Sequence, residues 1–298
     1  MCNTSSQIPH TALNKLKVSH HADTSQSSNG RDMGPGIYSI SNEDYHNGPA
    51  ISRSALMEFR KSPYHYWYKY LNPYYVEDSA TPAQIFGSAL HTFILEPKEF
   101  EKQFFTLAKF DKRTKAGAER WKQIQAEQGI KTFLKEEQYQ ELQQMAESLK
   151  KNKLALQLIE NAQIEQSLFW TDPDTGILCK CRPDILRPTL VADLKTAQDG
   201  SAWSFSKAIY DYGYHIQAAM IQEALRAIKK IEVTSFWFIV IEKSAPYVVS
   251  TYKLDAASLE KGQEDFKALL QHYKSCLETN DWPAYVAQEI SLPNYAFN

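Results

Sequence analysis

The chain is short of everything that marks a secreted, membrane-bound or globally basic protein. Four cysteines in 298 residues (Cys2, Cys179, Cys181, Cys276) are too few to staple a chain of this size with disulfides. No run approaches the ~18 consecutive apolar residues needed to cross a bilayer. The start, MCNTSSQIPHTALNKLK, lacks the charged-then-apolar layout of a secretory signal. These absences predict a cytoplasmic protein with reduced thiols and no membrane association. Basic charge is not in excess either: 33 Lys and Arg stand against 35 Asp and Glu, a formal net charge of −2. Taken alone, that balance argues against a protein held on a polyanion by global charge. What is present is an ordinary 43% of hydrophobic residues, in a chain long enough to bury a substantial core.

Residues 1–32 are rich in Ser, Thr, Asn and His, show no sustained period, and read as a disordered tail. Residues 33–298 read as a single domain. Ser52 is an N-cap for a helix through Leu56 and Phe59, which Pro63 breaks or kinks. Tyr64, Tyr66, Trp67, Tyr68 and Tyr70 follow; they read as a packed aromatic helix, with a base-stacking platform as the alternative. Helices are predicted over 82–96, opened by Pro82, and over 135–160, through Leu142, Met145 and Leu149. Residues 97–130 are strongly charged. The pattern then shortens. Strands are predicted over 163–170, 177–186 and 189–195, with Asp174-Thr175-Gly176 as a hairpin turn. A helix in two pieces around Gly213 (203–229), strands over 233–242 and 246–254, and a helix over 255–278 complete the chain. The order predicts an α/β protein, a sheet flanked by helices with a helical N-terminal half.

The chemistry concentrates at Pro183-Asp184 and Asp193-Leu194-Lys195. Two antiparallel strands joined by a short turn bring the two carboxylates together. Asp193 and Lys195 are two apart in a strand and share a face. Paired carboxylates repel unless a cation lies between them, and hard divalent cations such as Mg²⁺ take oxygen ligands. A metal there would lower the pKa of a bound water and stabilise charge on a phosphodiester in transfer; Lys195 would add a preorganised positive charge. The alternative is a salt bridge on a β-hairpin. Asp-x-Lys alone is weak, and Pro-Asp nine residues upstream strengthens it.

At these residues the sequence resembles the PD-(D/E)XK nuclease superfamily, and within it the RecE-like (exonuclease VIII) nucleases. The segments GPGIY (34–38), ISNEDYH (40–46), LEPKEF (95–100), TGILCKCRPD (175–184) and YHIQ (214–217) carry the resemblance in order, over roughly residues 34 to 298. It implies a PD-(D/E)XK-like mixed central sheet flanked by helices. Through the helix pattern Gly87-x-x-x-His91 it implies metal ligation by His91, by Asp184 and Asp193, and by the backbone carbonyl of Leu194, with Lys195 as the motif lysine. A catalytic glutamine on the following helix corresponds to Gln217. Position 221 is Ile where relatives often carry Tyr, so half of that motif is absent. Glu165 matches an accessory acid. Arg113-Thr114-Lys115-Ala116-Gly117 resembles a family pattern within the basic stretch from Lys109 to Lys122, and Lys112, Arg113 and Lys115 are the expected phosphate contacts. Cys179 and Cys181 form C-x-C, but their count and placement do not match the iron–sulfur nucleases, so no cluster is expected.

The resemblance implies a Mg²⁺-dependent exonuclease, with Mn²⁺ as a substitute. It would degrade linear double-stranded DNA from 5′ ends and leave 3′ single strands for recombination, in the manner of enzymes carried by prophages. It further implies a ring-shaped homo-oligomer and a single-strand annealing recombinase as partner. A nuclease of other polarity or of endonuclease type, and a non-catalytic DNA-binding module that kept the fold, are the alternatives.

Overall fold

Serine caps and proline set the helices of the front half. The structure, a computed structural model, describes residues 33–107, 113–293 and 296. After a short strand, Gly36–Tyr38 (β1), comes Asn42–Asn47 (α1). Ser52 caps Arg53–Lys61 (α2), its hydroxyl accepting from the Ala55 amide. Ser62 does the same for Pro63–Tyr66 (α3). Pro63 therefore starts a helix rather than merely ending one, because its missing N–H falls where no partner is needed. One π-helical turn, Trp67–Leu71, follows. Of this aromatic run only Tyr66 joins the core, sharing a hydrogen bond of 2.9 Å with the Tyr273 hydroxyl. Tyr64, Tyr68 and Tyr70 are 47%, 51% and 43% exposed, so a packed aromatic helix describes one residue of the run and not the whole.

Pro82–Leu95 (α4) opens with a reciprocal Thr81–Gln84 capping box. Pro97–Gln103 (α5), Phe104–Leu107 (β2), Lys115–Gln128 (α6) and Thr132–Lys135 (β3) follow, with β2 and β3 paired in parallel. The first of these short strands lies within the charged stretch over 97–130 and the second just beyond it. The long helix expected over 135–160 is two, Glu136–Lys151 (α7) and Lys153–Ile159 (α8). Asn152 divides them, because its side chain accepts from the Ala155 amide and caps a new helix.

Two residues divide the strands in the middle of the chain. Glu165 has a φ of +50°, which lies outside strand geometry, so Gln163–Ile164 (β4) parts from Ser167–Thr171 (β5). Pro183 has no N–H for a ladder and falls between Leu178–Cys181 (β6) and Ile185–Leu186 (β7). The pieces go to different sheets. β1, β5 and β6 make a three-stranded antiparallel sheet. Leu190–Ala197 (β8), Ser235–Glu242 (β9) and Val249–Lys253 (β10) join the others in a mixed sheet of order β10-β9-β8-β7-β4. Only β8 and β9 in it run parallel. The connection between them is Ala202–Asp211 (α9) and Tyr214–Lys229 (α10), and Ala256–Thr279 (α11) closes the chain.

The mixed sheet is buried on both faces, and period-two alternation sorts its side chains. Val191, Phe236, Phe238 and Val240 pack with Phe59, Phe205 and Phe266 on one side. Ala192, Leu194, Ile239 and Ile241 pack with Leu90, Leu142 and Met145 on the other. Helices α10 and α11 meet closely at Gly262, where an added Cβ would lie 2.2 Å from the carbonyl oxygen of His215. Gly262→Ala must therefore push the two helices apart. We expect a loss of about 3 kcal/mol, read as a lower denaturation midpoint; an unchanged midpoint would contradict this packing. Cys179, Cys181 and Cys276 are all buried in the first cluster, and burial pushes the Cys179 and Cys181 thiols up. Among the described residues no helix is long and apolar enough to cross a membrane.

Candidate active site

The break at Pro183 and the antiparallel turn from β7 into β8 place Asp184 beside the middle of β8. The Asp184 carboxylate accepts a hydrogen bond of 2.7 Å from the Leu194 amide, so one strand orients the acid that precedes the other. Asp193 and Lys195 flank Leu194 on the same face of β8. Asp193 is fully buried. Its Oδ1 accepts from Gln217 Nε2 at 2.7 Å, and Gln217 Oε1 accepts from Lys195 Nζ at 3.3 Å. The Lys195 ammonium also lies against Asp193 Oδ2, which has no aligned donor. Gln217, on the first turn of α10, thus locks the Asp193–Lys195 pair from above.

The third group comes from α4. His91 Nδ1 is 3.5 Å from Asp184 Oδ2. Nothing lies within 4 Å of where a Cβ on Gly87 would be, so the glycine one turn before His91 is not required by packing. The fourth group is Glu165, which the sequence places in a strand. It sits instead in the kink between β4 and β5, its amide donating to the Asp184 carbonyl at 3.1 Å. The left-handed backbone turns the side chain toward Asp184.

His91, Glu165 and Asp184 each offer a ligand atom, all within 4.8 Å of one another. Asp193 and Leu194, also expected as ligands, lie beside this group; the Asp193 carboxylate is engaged by Lys195 and Gln217. Burial, the neighbouring Asp193 charge and opposing help from His91 and Lys195 leave the Asp184 carboxyl raised to about 6. Burial and the Asp184 charge push Glu165 to about 9, against the pull of Arg182. A buried and a half-buried acid facing an imidazole within ligand distance are a donor set suited to a divalent cation. Burial pulls the Lys195 ammonium down, but Asp193 and Asp184 outweigh it and hold it above the ordinary lysine value.

These groups open on a cleft of about 640 Å³ whose lining includes His91, Glu165, Asp184 and Gln217. Its opposite wall is the segment from Ser39 to Ser54. Two β6-side cations tie that wall down. Lys180, nearly fully buried, donates to the carbonyls of Tyr45, His46 and Gly48 at 2.7, 3.0 and 2.7 Å. Burial pulls it down to about 8, yet only an ammonium carries three N–H donors for three carbonyls. Arg182 donates to the Ile40 carbonyl and to Asn42 Oδ1, and its Nε is 3.7 Å from Glu165. Lys180, Arg182 and Arg53, which also lines the cleft, were not singled out from the sequence. The signal for the first two was their position in the segment leading to Asp184. Of the basic stretch, Arg113 and Lys115 stand at the start of α6, while Lys109 and Lys112 lie outside the described residues.

A mixed sheet with helices on both faces, with Asp193 and Lys195 on one strand and Asp184 at the entry to its neighbour, is the PD-(D/E)XK nuclease fold. Residues 52–291 match the model of the PDDEXK-like domain of unknown function (DUF3799), and the chain belongs to that family. Its fold is similar to that of a protein from Eubacterium rectale carrying the name "Putative exonuclease". The two share 15% identity over 85% of this chain and 97% of that one, with a TM-score of 0.54. A phage related exonuclease from Haemophilus somnus 129PT also matches, at 13% identity over 56% of this chain and 85% of that one, but its TM-score of 0.30 is too low to place the fold. No curated protein matches the chain.

Proposed function

We propose that the chain is a Mg²⁺-dependent exonuclease of linear double-stranded DNA, working from 5′ ends and leaving 3′ single strands for recombination in the cytoplasm. The observation that carries the reading is the convergence of His91, Glu165, Asp184 and Gln217 on one cleft, with Asp193 and Lys195 joined to it through Gln217. Asp184, Glu165 and His91 would hold the cation, with Asp193 and the Leu194 carbonyl beside them. When bound, it supplies Lewis-acid polarisation of a phosphoryl oxygen and a lowered pKa for water; Mn²⁺ suits the same donors. Lys195 presents its charge to the phosphate as negative charge develops in the transition state. Gln217 and Asp193 fix the ammonium in place, so little reorganisation is needed as the reaction proceeds. Lys112, Arg113 and Lys115 are proposed to grip the DNA backbone. A ring-shaped homo-oligomer and a single-strand annealing recombinase as partner belong to the same proposal, as does a single functional domain over residues 33–298.

End-labelled DNA tests the polarity. With Mg²⁺, label should leave the 5′ end of a linear duplex at once and the 3′ end late, and a closed circle should stay intact. Early loss of 3′ label would reverse the polarity. Nicking of the circle would make the enzyme an endonuclease, and a mobility shift with no cutting would make it a binding module.

A further inference from the structure

We propose that the corner between α2 and the α9–α10 turn is a binding lane for an unpaired DNA strand, leading outward from the catalytic cleft. The ligand class rests on the nuclease reading above; the lane itself rests on geometry. Lys195 Nζ lies 4.5 Å from the ring centre of Tyr214. The Arg53 guanidinium is 5.7 Å from the same ring. The Tyr212 ring is 5.7 Å from that of Tyr214 at an interplanar angle of 36°. Further out, the Arg60 guanidinium sits 4.9 Å from the ring centre of Tyr210. Tyr214 is half-buried, whereas Tyr212 is 60% and Tyr210 54% exposed.

The corner is rigid. Arg53 and Arg60 are two helical turns apart on one face of α2. They donate to the carbonyls of Tyr212 at 2.9 Å and Tyr210 at 3.3 Å. Between them Met57 fills the space beside Gly213, where a Cβ would lie 2.4 Å from the Met57 sulfur. Gly213 has a φ of +66°, so the turn is fixed both by backbone and by packing.

The corner is also electrostatically open. A guanidinium has five N–H donors, and each arginine uses one on these carbonyls. Among the described residues neither arginine pairs with a carboxylate. Asp211, the acid within the turn, pairs with Lys207. Tyr210 already stacks on the His215 ring and meets Arg60, and Tyr214 packs against Phe205 and Phe238, so Tyr212 is the ring this corner offers to a base. An exposed tyrosine between arginines that keep spare donors matches the chemistry of a single strand, with a base stacked on Tyr212 and phosphates on the guanidinium groups. A paired duplex hides its base faces and gains nothing from Tyr212.

The test is fluorescence anisotropy with a labelled oligothymidylate of about 16 nucleotides and with a blunt duplex of the same length. It is run in EDTA, so that cleavage does not enter. Tyr212→Ala should weaken oligothymidylate binding about tenfold and duplex binding much less. Arg60→Gln should weaken the single strand in the same direction, and Tyr212→Trp should restore it. Thermal unfolding checks that each variant is folded. Wild-type affinity in both Tyr212→Ala and Arg60→Gln would overturn the lane, as would equal losses on single strand and duplex. Self-association abolished by Tyr212→Ala, with no oligonucleotide binding, would assign the corner to a protein contact and overturn it too. Failure of the nuclease reading shows separately, as absent or EDTA-insensitive digestion by the wild type.

Discussion

Lys195→Ala is expected to lower metal-dependent DNA cleavage by about 10²- to 10³-fold. Lys195 is the cation that lies against Asp193, held above its ordinary pKa by Asp193 and Asp184, and aligned by Gln217. Its loss removes a charge that needs no reorganisation to act, which is where such sites gain most of their rate. The variant will also be less stable. Asp193 is fully buried and would keep only the hydrogen bond from Gln217, and an acid left so exposed to its own desolvation costs several kcal/mol. The two effects separate in one experiment. Activity is measured at a temperature where circular dichroism shows the variant folded. If cleavage falls while the fold persists, Lys195 acts on the reaction. If a folded variant cuts like the wild type, Lys195 is only the counter-ion of Asp193.

Lys180→Met should destabilise the chain by about 3 kcal/mol and free the far wall of the cleft. Methionine fills the volume of the lysine stem but donates nothing. The carbonyls of Tyr45, His46 and Gly48 would lose their shared donor, and a buried acceptor without a partner costs roughly 1–3 kcal/mol. Some of this is recovered as the segment swings toward water, which is the second expectation: proteolysis within 39–48 should quicken. A midpoint and a cleavage rate like those of the wild type would show that the wall is held by something other than Lys180.

Much of the site was legible because its chemistry is local in sequence. Asp193 and Lys195 sit on one strand whose period fixes their shared face, Asp184 leads into its antiparallel neighbour, and Gln217 and His91 were reached through family resemblance. What was not legible depends on backbone conformations that hydrophobic periodicity does not report. Glu165 appears to the eye as one more residue of a strand, and only its positive φ turns it toward Asp184. The splits at Glu165 and Pro183 then send halves of two predicted strands to different sheets. Lys180 shows the same limit from the other direction: in sequence it is a strand lysine between two cysteines, and only the long-range return of residues 45–48 gives it three acceptors. The two-piece helix around Gly213 was readable because glycine marks the turn, whereas hydrophobic periodicity does not mark the π-turn at Trp67–Leu71 or the exposure of Tyr64, Tyr68 and Tyr70.

The central claim is that the acids and imidazole gathered around Asp184 hold a divalent cation with which this chain cuts DNA. It is tested most directly by digesting a linear duplex with purified protein across a Mg²⁺ titration, in wild type and in Asp184→Asn. Cleavage should appear with the metal, vanish in EDTA, return when Mg²⁺ is restored, and be lost in Asp184→Asn at every metal concentration. Cleavage that persists in EDTA, or that survives intact in Asp184→Asn, would contradict the account.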